Sequence, residues 1–349
     1  MFVGLLLLIA GAELMVRGAV RLAARLHVRS LIIGLTIVAL GSSAPQMAVS
    51  LQATLAQNAD IAVGSVIGSS IFNILVTLGL SALIIPLRVS RQLVRLDIPL
   101  MIGASLLVFA LAWNKELDRV DGLILLAALV LYLGLLLRQS RHSTRPPSPD
   151  ETPKAPWLSS VLMIVAGLAM LVYAAHLLLG AAVAVATDLG LSERIIGLTI
   201  VAVSTSLPEL ATSLIAALRG QRDIAVGNVI GSNLFNLLGV LGLTALVAPS
   251  PLSVSPNALD FDLPVMLGVA VLCLPLFYTG YRVTRAEGLL FLGLYLAYGL
   301  HVVSFTTGMP LAGKLEHLML FFVLPALVAY LLFTSLRAWR RQHHKREMP

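Results

Sequence analysis

The sequence predicts an all-α integral membrane protein in which two inverted five-helix repeats supply ten spans and an eleventh span follows at the C-terminal end. Three observations favour this fold class: an apolar composition, a duplicated segment and a one-sided distribution of basic residues. Of the 349 residues, 58% are hydrophobic and 12% are charged, which is about half the charged share of a soluble domain. The composition therefore excludes an ordinary soluble protein.

Eleven apolar segments are long enough to cross ~30 Å of hydrocarbon, for which roughly 20 residues suffice. They cover residues 2–23, 31–56, 61–86, 96–113, 120–137, 157–187, 195–218, 224–248, 261–280, 286–305 and 317–336. We expect no cleavable signal peptide, because Glu13 and Arg17 interrupt the first segment and no basic region precedes it. The single Cys273 excludes a disulfide within the chain and a metal site made of cysteines.

The basic residues predict how the spans are oriented. With the N-terminus outside, 20 of the 24 Lys and Arg residues fall on the cytoplasmic side, and four (Lys115, Arg119, Arg194 and Lys314) fall outside. Basic residues favour the cytoplasmic side of a membrane. We therefore expect the N-terminus outside and the C-terminus in the cytoplasm.

A polar stretch divides the chain into two halves. Residues 138–156, RQSRHSTRPPSPDETPKAP, are rich in Pro, Ser and charge, which is typical of a linker without a packed core. The predicted organisation is an N-terminal five-helix repeat over residues 1–137, this cytoplasmic linker, an inverted five-helix repeat over 157–305, and an extra span with a basic cytoplasmic tail over 306–349.

The two halves are repeats of each other. The segment Ile32–Leu83 recurs later in the chain as Ile195–Leu246, with 32 of 52 aligned positions identical. The similarity continues from RLDIPLMIG (95–103) to DFDLPVMLG (260–268), and from RVDGLILL to RAEGLLFL. An odd number of spans per repeat inserts the second half upside-down, which is the architecture of many secondary transporters with a site at mid-membrane.

Polar residues recur on one face of the apolar helices in each repeat. In the second span Ser42, Gln46 and Ser50 have i, i+4, i+8 spacing. Ser43 flanks them, and Pro45 breaks the backbone hydrogen-bond ladder. The corresponding faces carry Ser65, Ser69 and Asn73 in the third span, Thr205, Glu209 and Ser213 in the seventh, and Asn228, Ser232 and Asn236 in the eighth.

Polar groups inside lipid are costly and normally face a cavity. We therefore expect these faces to form an oxygen-lined pocket with one carboxylate, Glu209, suited to hard cations such as Na⁺ and Ca²⁺. The alternative interpretation is that the hydroxyl and amide groups only bond neighbouring helices to each other, a common role in membrane bundles.

The two copies GLTIVALGSSAPQ…GSVIGSSIFN and GLTIVAVSTSLPE…GNVIGSNLFN resemble the paired α-repeats of the cation/Ca²⁺ antiporter superfamily, the bacterial and archaeal sodium/calcium exchangers. The resemblance covers the first ten spans. It implies alternating access through movement of the first and sixth helices, and an ion pocket built by the second, third, seventh and eighth. The positions that match family ligands are Ser42, Ser43, Gln46, Ser69, Asn73, Thr205, Ser206, Glu209, Ser232 and Asn236.

Two of these positions depart from the family pattern. Gln46 stands where the family has a second Glu, and Asn236 stands where some relatives have Asp. The pocket thus holds at most one negative charge, so a Ca²⁺ ion would leave about one positive charge uncompensated, whereas a Na⁺ ion or a proton on Glu209 would be neutral. Calcium exchange, from the resemblance, and monovalent cation/H⁺ exchange, from the charge count, both stay open.

Other ionisable residues have simpler interpretations. Glu13 in the first span is expected to make a structural hydrogen bond near the membrane interface. His176, at the matching place in the sixth span where the family often has an acid, is expected to be a packing residue rather than a proton relay. Asp60 and Asp223 open helices and are interpreted as caps. The carboxylates interpreted as span-edge residues are Asp97, Asp260 and Asp262.

The predicted function is secondary active cation antiport of the sodium/calcium exchanger type, with Na⁺ and Ca²⁺ (or H⁺) as substrates and no cofactor. The predicted partners are inorganic cations and membrane lipid, without nucleic acid or a protein partner, in a prokaryotic inner (plasma) membrane. An intramembrane enzyme is disfavoured because no span pairs a Ser with a His or Lys in a recognisable motif. A channel is disfavoured because inverted repeats around a central acid fit a carrier better.

Overall fold

The structure, a computed structural model, describes residues 2–26, 28–142, 157–188, 202–278 and 280–306. These residues form helices α1 (Phe2–Leu26), α2 (Ser30–Ser42), α3 (Ala44–Leu55), α4 (Ala59–Ile84), α5 (Leu93–Asn114), α6 (Arg119–His142), α7 (Trp157–Asp188), α8 (Ala202–Thr205), α9 (Leu207–Leu218), α10 (Arg222–Val247), α11 (Ala258–Tyr278) and α12 (Arg285–Thr306). Four short strands are β1 (Leu87–Arg88), β2 (Glu116–Leu117), β3 (Leu252–Ser253) and β4 (Arg282–Val283).

The described residues form an all-helical membrane protein, as the composition predicts. Eight of these helices are long and apolar enough to cross a membrane, and the number is nine if α2 and α3, which meet at a bend of 42°, count as one span. The predicted seventh span begins among residues 189–201, and the predicted eleventh lies within 307–349. Both of these segments fall outside the described residues.

Proline explains why two of the polar spans are broken. Pro45 and Pro208 lie in the first turns of α3 and α9. Proline lacks a backbone N–H and clashes with the preceding turn, so it suits the start of a helix and interrupts its interior. Ser43 and Ser206 occupy the joints that result, immediately before these helices.

In the described part of the chain, five π-helical turns interrupt the long helices. They span Gly34–Val38 in α2, Asn73–Leu78 in α4, Leu93–Asp97 in α5, Phe235–Val240 in α10 and Ala258–Asp262 in α11. A π turn inserts one extra residue into the helix and is frequent at functional sites. Two of these turns contain the predicted pocket residues Asn73 and Asn236.

The element boundaries repeat along the chain. Helices α3 and α9 begin and end at matching positions of the two repeats, and each has 12 residues. Helices α4 and α10 also match, with 26 residues each. Strand β3 follows α10 as β1 follows α4, and β4 follows α11 as β2 follows α5. The sequence repeat therefore has a counterpart in local structure, down to the two-residue strands that precede and follow α5 and α11.

The strand pairing fixes the relative direction of two long helices. Strand β1 pairs with β4, and β2 pairs with β3, both antiparallel. Helix α5 therefore runs from the β1–β4 sheet to the β2–β3 sheet, whereas α11 runs from the second sheet to the first. The two repeat-related helices, which pack against each other, run in opposite directions.

Helices α1 and α7 cross at glycines. A Cβ atom on Gly167 would lie 2.7 Å from the carbonyl oxygen of Gly11 and 2.7 Å from the backbone nitrogen of Met15. A Cβ atom on Gly11 would lie 2.9 Å from the carbonyl oxygen of Gly167. Small residues allow such close backbone approach between membrane helices, so the first helices of the two halves are in direct backbone contact.

The α1–α7 crossing predicts opposite effects of adding one methyl group to two glycines of α7. Gly167→Ala should lower the unfolding temperature in detergent because its Cβ has no room. Gly180→Ala is the matched control, since nothing lies within 4 Å of its added Cβ. It should leave the unfolding temperature unchanged or raise it, because Ala favours a helix by about 1 kcal/mol over Gly. Equal unfolding temperatures for the two variants would contradict a tight crossing.

Candidate functional site

All ten candidate ligands are buried in the interior of the bundle. Each has at most 3% of its surface exposed. The residues are Ser42, Ser43 and Gln46 near the α2–α3 break, Ser69 and Asn73 on α4, Thr205, Ser206 and Glu209 near the α8–α9 break, and Ser232 and Asn236 on α10. Four separate parts of the sequence therefore contribute buried polar groups.

Hydrogen bonds join the two halves at the helix breaks. The Ser43 hydroxyl donates to Glu209 Oε1 at 3.1 Å. The Ser42 hydroxyl donates to Asn228 Oδ1 at 3.0 Å and lies 3.3 Å from the Ser232 hydroxyl. The first break thus contacts both α9 and α10, and the structure brings together residues that are far apart in the sequence, in different repeats.

Gln46 is held by three serines. Its amide nitrogen donates to Ser65 Oγ at 2.9 Å and to Ser50 Oγ at 3.2 Å. Its amide oxygen accepts a hydrogen bond from Ser69 Oγ at 2.9 Å. Both ends of the amide are therefore engaged by serine hydroxyls.

Glu209 has a different environment from its repeat counterpart Gln46. Its Oε1 accepts from Ser43, but its Oε2 has no hydrogen-bond partner among the described residues. Beside Glu209 lies the side-chain amide of Asn228. It donates to Ser213 Oγ at 2.8 Å and to the Glu209 backbone carbonyl oxygen at 3.3 Å. An amide therefore bonds the repeat-related serine in each half, from Gln46 in the first and from Asn228 in the second.

The two asparagines at the π turns also carry unpaired atoms. Asn73 donates to Asn233 Oδ1 at 3.2 Å, while its own Oδ1 has no partner in the described part of the chain. Neither side-chain polar atom of Asn236 has one there either. A buried polar atom without a partner costs about 1–3 kcal/mol. Together with Glu209 Oε2, these oxygens can offer lone pairs to a cation.

The donor set suits a hard cation rather than a soft metal. Hydroxyl, amide and carboxylate oxygens are the ligands of Na⁺ and Ca²⁺. Within the described ranges, no group of three or more His, Cys, Asp or Glu side chains is placed to hold a metal ion. A cation in this pocket would therefore depend on Glu209 for charge and on neutral oxygens for the remaining ligands.

Asn233 is a buried polar residue that the sequence interpretation missed. Its amide nitrogen donates to the Ser70 carbonyl oxygen at 3.3 Å and lies 3.6 Å from Met101 Sδ, and its oxygen accepts from Asn73. It thereby connects α10 to α4 and α5. The sequence contained one signal for it, namely a second polar residue beside Ser232 in an apolar helix. Asn233 was not chosen because it lies off the i, i+4, i+8 face that defined the candidates.

Glu13 and His176 lie outside the pocket network. Glu13 forms ion pairs with Arg17 and Arg219, which agrees with its expected structural role. The side chain of His176 is exposed on α7. The pocket contacts described above therefore involve neither residue.

Two aspartates differ from their sequence interpretation. Asp60 and Asp223 were expected to be caps, but the N-caps of α4 and α10 are Asn58 and Gln221, without side-chain capping bonds. These helices begin before the aspartates, which lie in the first turn, where a carboxylate still suits the helix dipole. Asp97, expected at a span edge, is fully buried.

Two cavities are lined in part by residues of the helices that carry the candidates. One, of about 800 Å³, is lined by residues that include Asp60, Gly68 and Asp262, and contains none of the ten candidates among its described lining residues. The other, of about 280 Å³, has mainly apolar walls, including Met47 and Phe235, and reaches Ser43. The second cavity therefore adjoins the hydroxyl that bonds Glu209.

Comparisons with known proteins agree on one family. The model of a family described as sodium/calcium exchanger protein matches residues 1–138 and 159–304. The "Putative antiporter CaxA" of Alkalimonas amylolytica is 39% identical over 304 residues, 85% of this chain and 95% of the relative. The sodium/calcium exchanger MaX1 of Methanosarcina acetivorans is 31% identical over 337 residues, 85% and 96% of the two chains. A solved structure of the sodium-calcium exchanger NCX_Mj, soaked with 10 mM Na⁺ and zero Ca²⁺, has a TM-score of 0.74 at 31% identity, covering 84% of this chain and 95% of that chain.

The contacts of Asn233 predict a larger stability role than those of its repeat counterpart Ser70. Asn233→Ala should lower the free energy of unfolding by about 1–3 kcal/mol, because it leaves buried partners on Asn73 and α4 unsatisfied. Ser70→Ala is the control, since the Ser70 hydroxyl bonds Val66 O within its own helix, and it should cost less. Chemical denaturation in detergent measures both. Equal losses would contradict a bridging role for Asn233.

Proposed function

The chain belongs to the sodium/calcium exchanger family of membrane proteins, and from this premise we propose that it is a secondary cation antiporter that works by alternating access around Glu209. The observation that carries the proposal is the Ser43–Glu209 hydrogen bond, which joins the two helix breaks. A buried carboxylate with one unpaired oxygen at that junction is suited to bind and release a cation.

The proposed architecture is two inverted five-helix repeats, ten spans in all, followed by an eleventh span. The opposite directions of α5 and α11, and the repeated element boundaries, support the inversion. Inverted halves allow one half to take the conformation of the other, which exposes a site at their interface first to one side and then to the other.

The proposed cation ligands are the ten predicted residues. The unpaired oxygens of Glu209, Asn73 and Asn236 support this set most directly, because their unmet hydrogen-bonding capacity lowers the cost of accepting a cation. The hydroxyl groups of Ser42 and Ser43 lie in the same network. The alternative role of bonding helices together accounts for the satisfied pairs but not for the unpaired oxygens.

The proposed substrates are Na⁺ and Ca²⁺, with calcium coupling weakened by Gln46. Relatives described as sodium/calcium exchangers support the pair of ions. Gln46 removes one of two negative charges, and a Ca²⁺ ion facing Glu209 alone keeps about one uncompensated charge in a buried site, which is costly. The same charge count favours a second candidate function, monovalent cation/H⁺ antiport.

The proposed orientation places the N-terminus outside and the C-terminus in the cytoplasm of a prokaryotic plasma membrane. The paired strands support it. Arg88 and Arg282 meet in one sheet, and Glu116 and Ser253 meet in the other. The distribution of basic residues assigns the first pair to the cytoplasm and the second to the outside, so each sheet joins two loops that were assigned to the same side.

Substitution of the central acid tests the site. Glu209→Gln should abolish cation-coupled flux into proteoliposomes when Na⁺, K⁺, H⁺ and Ca²⁺ gradients are varied separately, because it removes the charge of the proposed ligand set. Ser70→Ala is a control, since its hydroxyl bonds within its own helix, and it should retain flux. Flux retained by Glu209→Gln would place the site elsewhere.

Restoring the missing charge tests the coupling ion. Uptake of radioactive Ca²⁺ driven by a Na⁺ gradient should be weak, and Gln46→Glu should raise it about tenfold or more, since a charge in a buried site is worth more than ~1.4 kcal/mol. The double variant Gln46→Glu/Ser65→Asn copies the Glu209–Asn228 pair into the first half and should raise it further. Robust uptake by the unmodified protein, unaffected by Gln46→Glu, would refute the charge argument.

Cysteine labelling tests the inversion and the orientation together. Glu116→Cys and Ser253→Cys should react with a membrane-impermeant thiol reagent in intact cells, and Arg88→Cys and Arg282→Cys only after permeabilisation. The unmodified protein is the control, because Cys273 is fully buried and should not react. Labelling of one member of a strand pair from the opposite side would contradict the proposed topology.

A further inference from the structure

Each half contains a carboxylate cluster outside the pocket, which is buried in the first half and part-buried in the second. Asp97 ends the π turn of α5, and Asp262, its counterpart in the sequence repeat, ends the π turn of α11. Polar side chains that interact with each carboxylate also correspond in the repeat. They are Gln92 and Tyr132 for Asp97, and Asn257 and Tyr298 for Asp262.

In the second half this cluster is closed by hydrogen bonds. The Tyr298 hydroxyl donates to Asp262 Oδ1 at 3.0 Å, and the Asn257 amide donates to Asp262 Oδ2 at 3.2 Å. Each carboxylate oxygen thus accepts one hydrogen bond from a different donor. Hydrogen bonds of this kind favour the ionised form of a carboxyl group.

In the first half the corresponding donors do not bond the carboxyl group. Asp97 is fully buried and Tyr132 is 3% exposed. Gln92 approaches the carboxyl group without meeting hydrogen-bond geometry. Both oxygens of Asp97, the Tyr132 hydroxyl and the Gln92 amide nitrogen have no hydrogen-bond partner among the described residues. The cluster therefore contains two hydrogen-bond donors and a carboxyl group that receives a bond from neither.

The charged groups around Asp97 do not neutralise it by direct contact. The Arg29 guanidinium, immediately before α2, acts on Asp97 from a distance, while it donates to Gln92 Oε1 at 3.0 Å. Its charge also acts on Asp223. Arg91 and Arg95, on the same segment as Asp97, are exposed. Helix α11, which packs against this turn, has no charged residue after Asp262, and Asp262 is at its opposite end.

We propose that the Asp97 cluster is a proton-binding site, in which Asp97 holds the proton as a neutral carboxylic acid while Asp262 in the matching cluster is ionised. An ionised carboxylate that accepts no hydrogen bond in a buried site is far more costly than the neutral acid. The ligand is a single proton, taken from water at the Arg29 end. Uptake forms one O–H bond on Asp97, and release returns the proton to water.

The inference deepens the proposed antiport, and its consequence for transport rests on that function. In an antiporter whose pocket holds one acid, Asp97 supplies a proton site that leaves Glu209 available to a metal cation. The two clusters lie toward opposite ends of antiparallel helices. When the two halves exchange conformations, the hydrogen-bonded arrangement would pass from the Asp262 cluster to the Asp97 cluster, and the arrangement without these bonds would pass the other way.

Infrared spectroscopy of the full-length protein tests the proton directly, without an ion gradient. Spectra are taken at neutral pH in water and in D₂O, with Glu209→Gln as the background so that the pocket acid does not contribute. We expect a carbonyl band of a protonated carboxyl group that shifts in D₂O. Asp97→Asn should remove this band, and the repeat-matched control Asp262→Asn should retain it.

Tyr132→Phe keeps the carboxyl group and provides a second readout if Asp97→Asn does not fold. It should retain the band at a shifted frequency, because the phenol hydroxyl beside the acid is gone. A band that survives Asp97→Asn, that disappears with Asp262→Asn, or that does not shift in Tyr132→Phe would overturn the proposal. Loss of all flux in the unmodified protein with the band intact would refute antiport and leave the proton site standing.

Discussion

The arrangement of this bundle depends on satisfying polar groups in the middle of apolar helices. Water is scarce at that depth, so the hydroxyl, amide and carboxyl groups must bond one another or a ligand. The Ser43–Glu209 and Ser42–Asn228 bonds meet this requirement across the two halves. Because each of these two bonds needs residues from both repeats, neither half alone can satisfy all of its polar groups.

Close helix packing makes such short bonds possible. A Cβ atom on Gly231 would lie 2.7 Å from the Leu35 carbonyl oxygen, and one on Gly227 would lie 3.1 Å from the Leu31 carbonyl oxygen. These glycines let α10 lie directly against α2, the helix that ends at Ser42. The same approach between α1 and α7 links the first helices of the halves. Glycine spacing thus sets the distance over which serine and asparagine side chains can reach.

Much of the site could be predicted from the sequence, because duplication and helical spacing identify the same residues twice. The i, i+4, i+8 pattern placed Gln46 with Ser50, and the structure bonds them. The pattern missed Asn233 because this residue follows Ser232 directly, about 100° around the helix from the face that defined the candidates. The burial of Asp97 was missed because its neighbour Tyr132 is in the next helix, and their proximity depends on tertiary packing that no local spacing reveals.

The divergence between the two halves involves a pair of positions. Where the second half has Glu209 with Asn228, the first has Gln46 with Ser65, and each pair contains one amide that bonds the serine one helical turn beyond the acid or its replacement. A carboxylate at position 46 with Ser65 unchanged would leave the first half without that amide. The loss of charge at Gln46 therefore fits its surroundings: the first half keeps the hydrogen-bonding function of the pair and gives up the charge, and the second half keeps both.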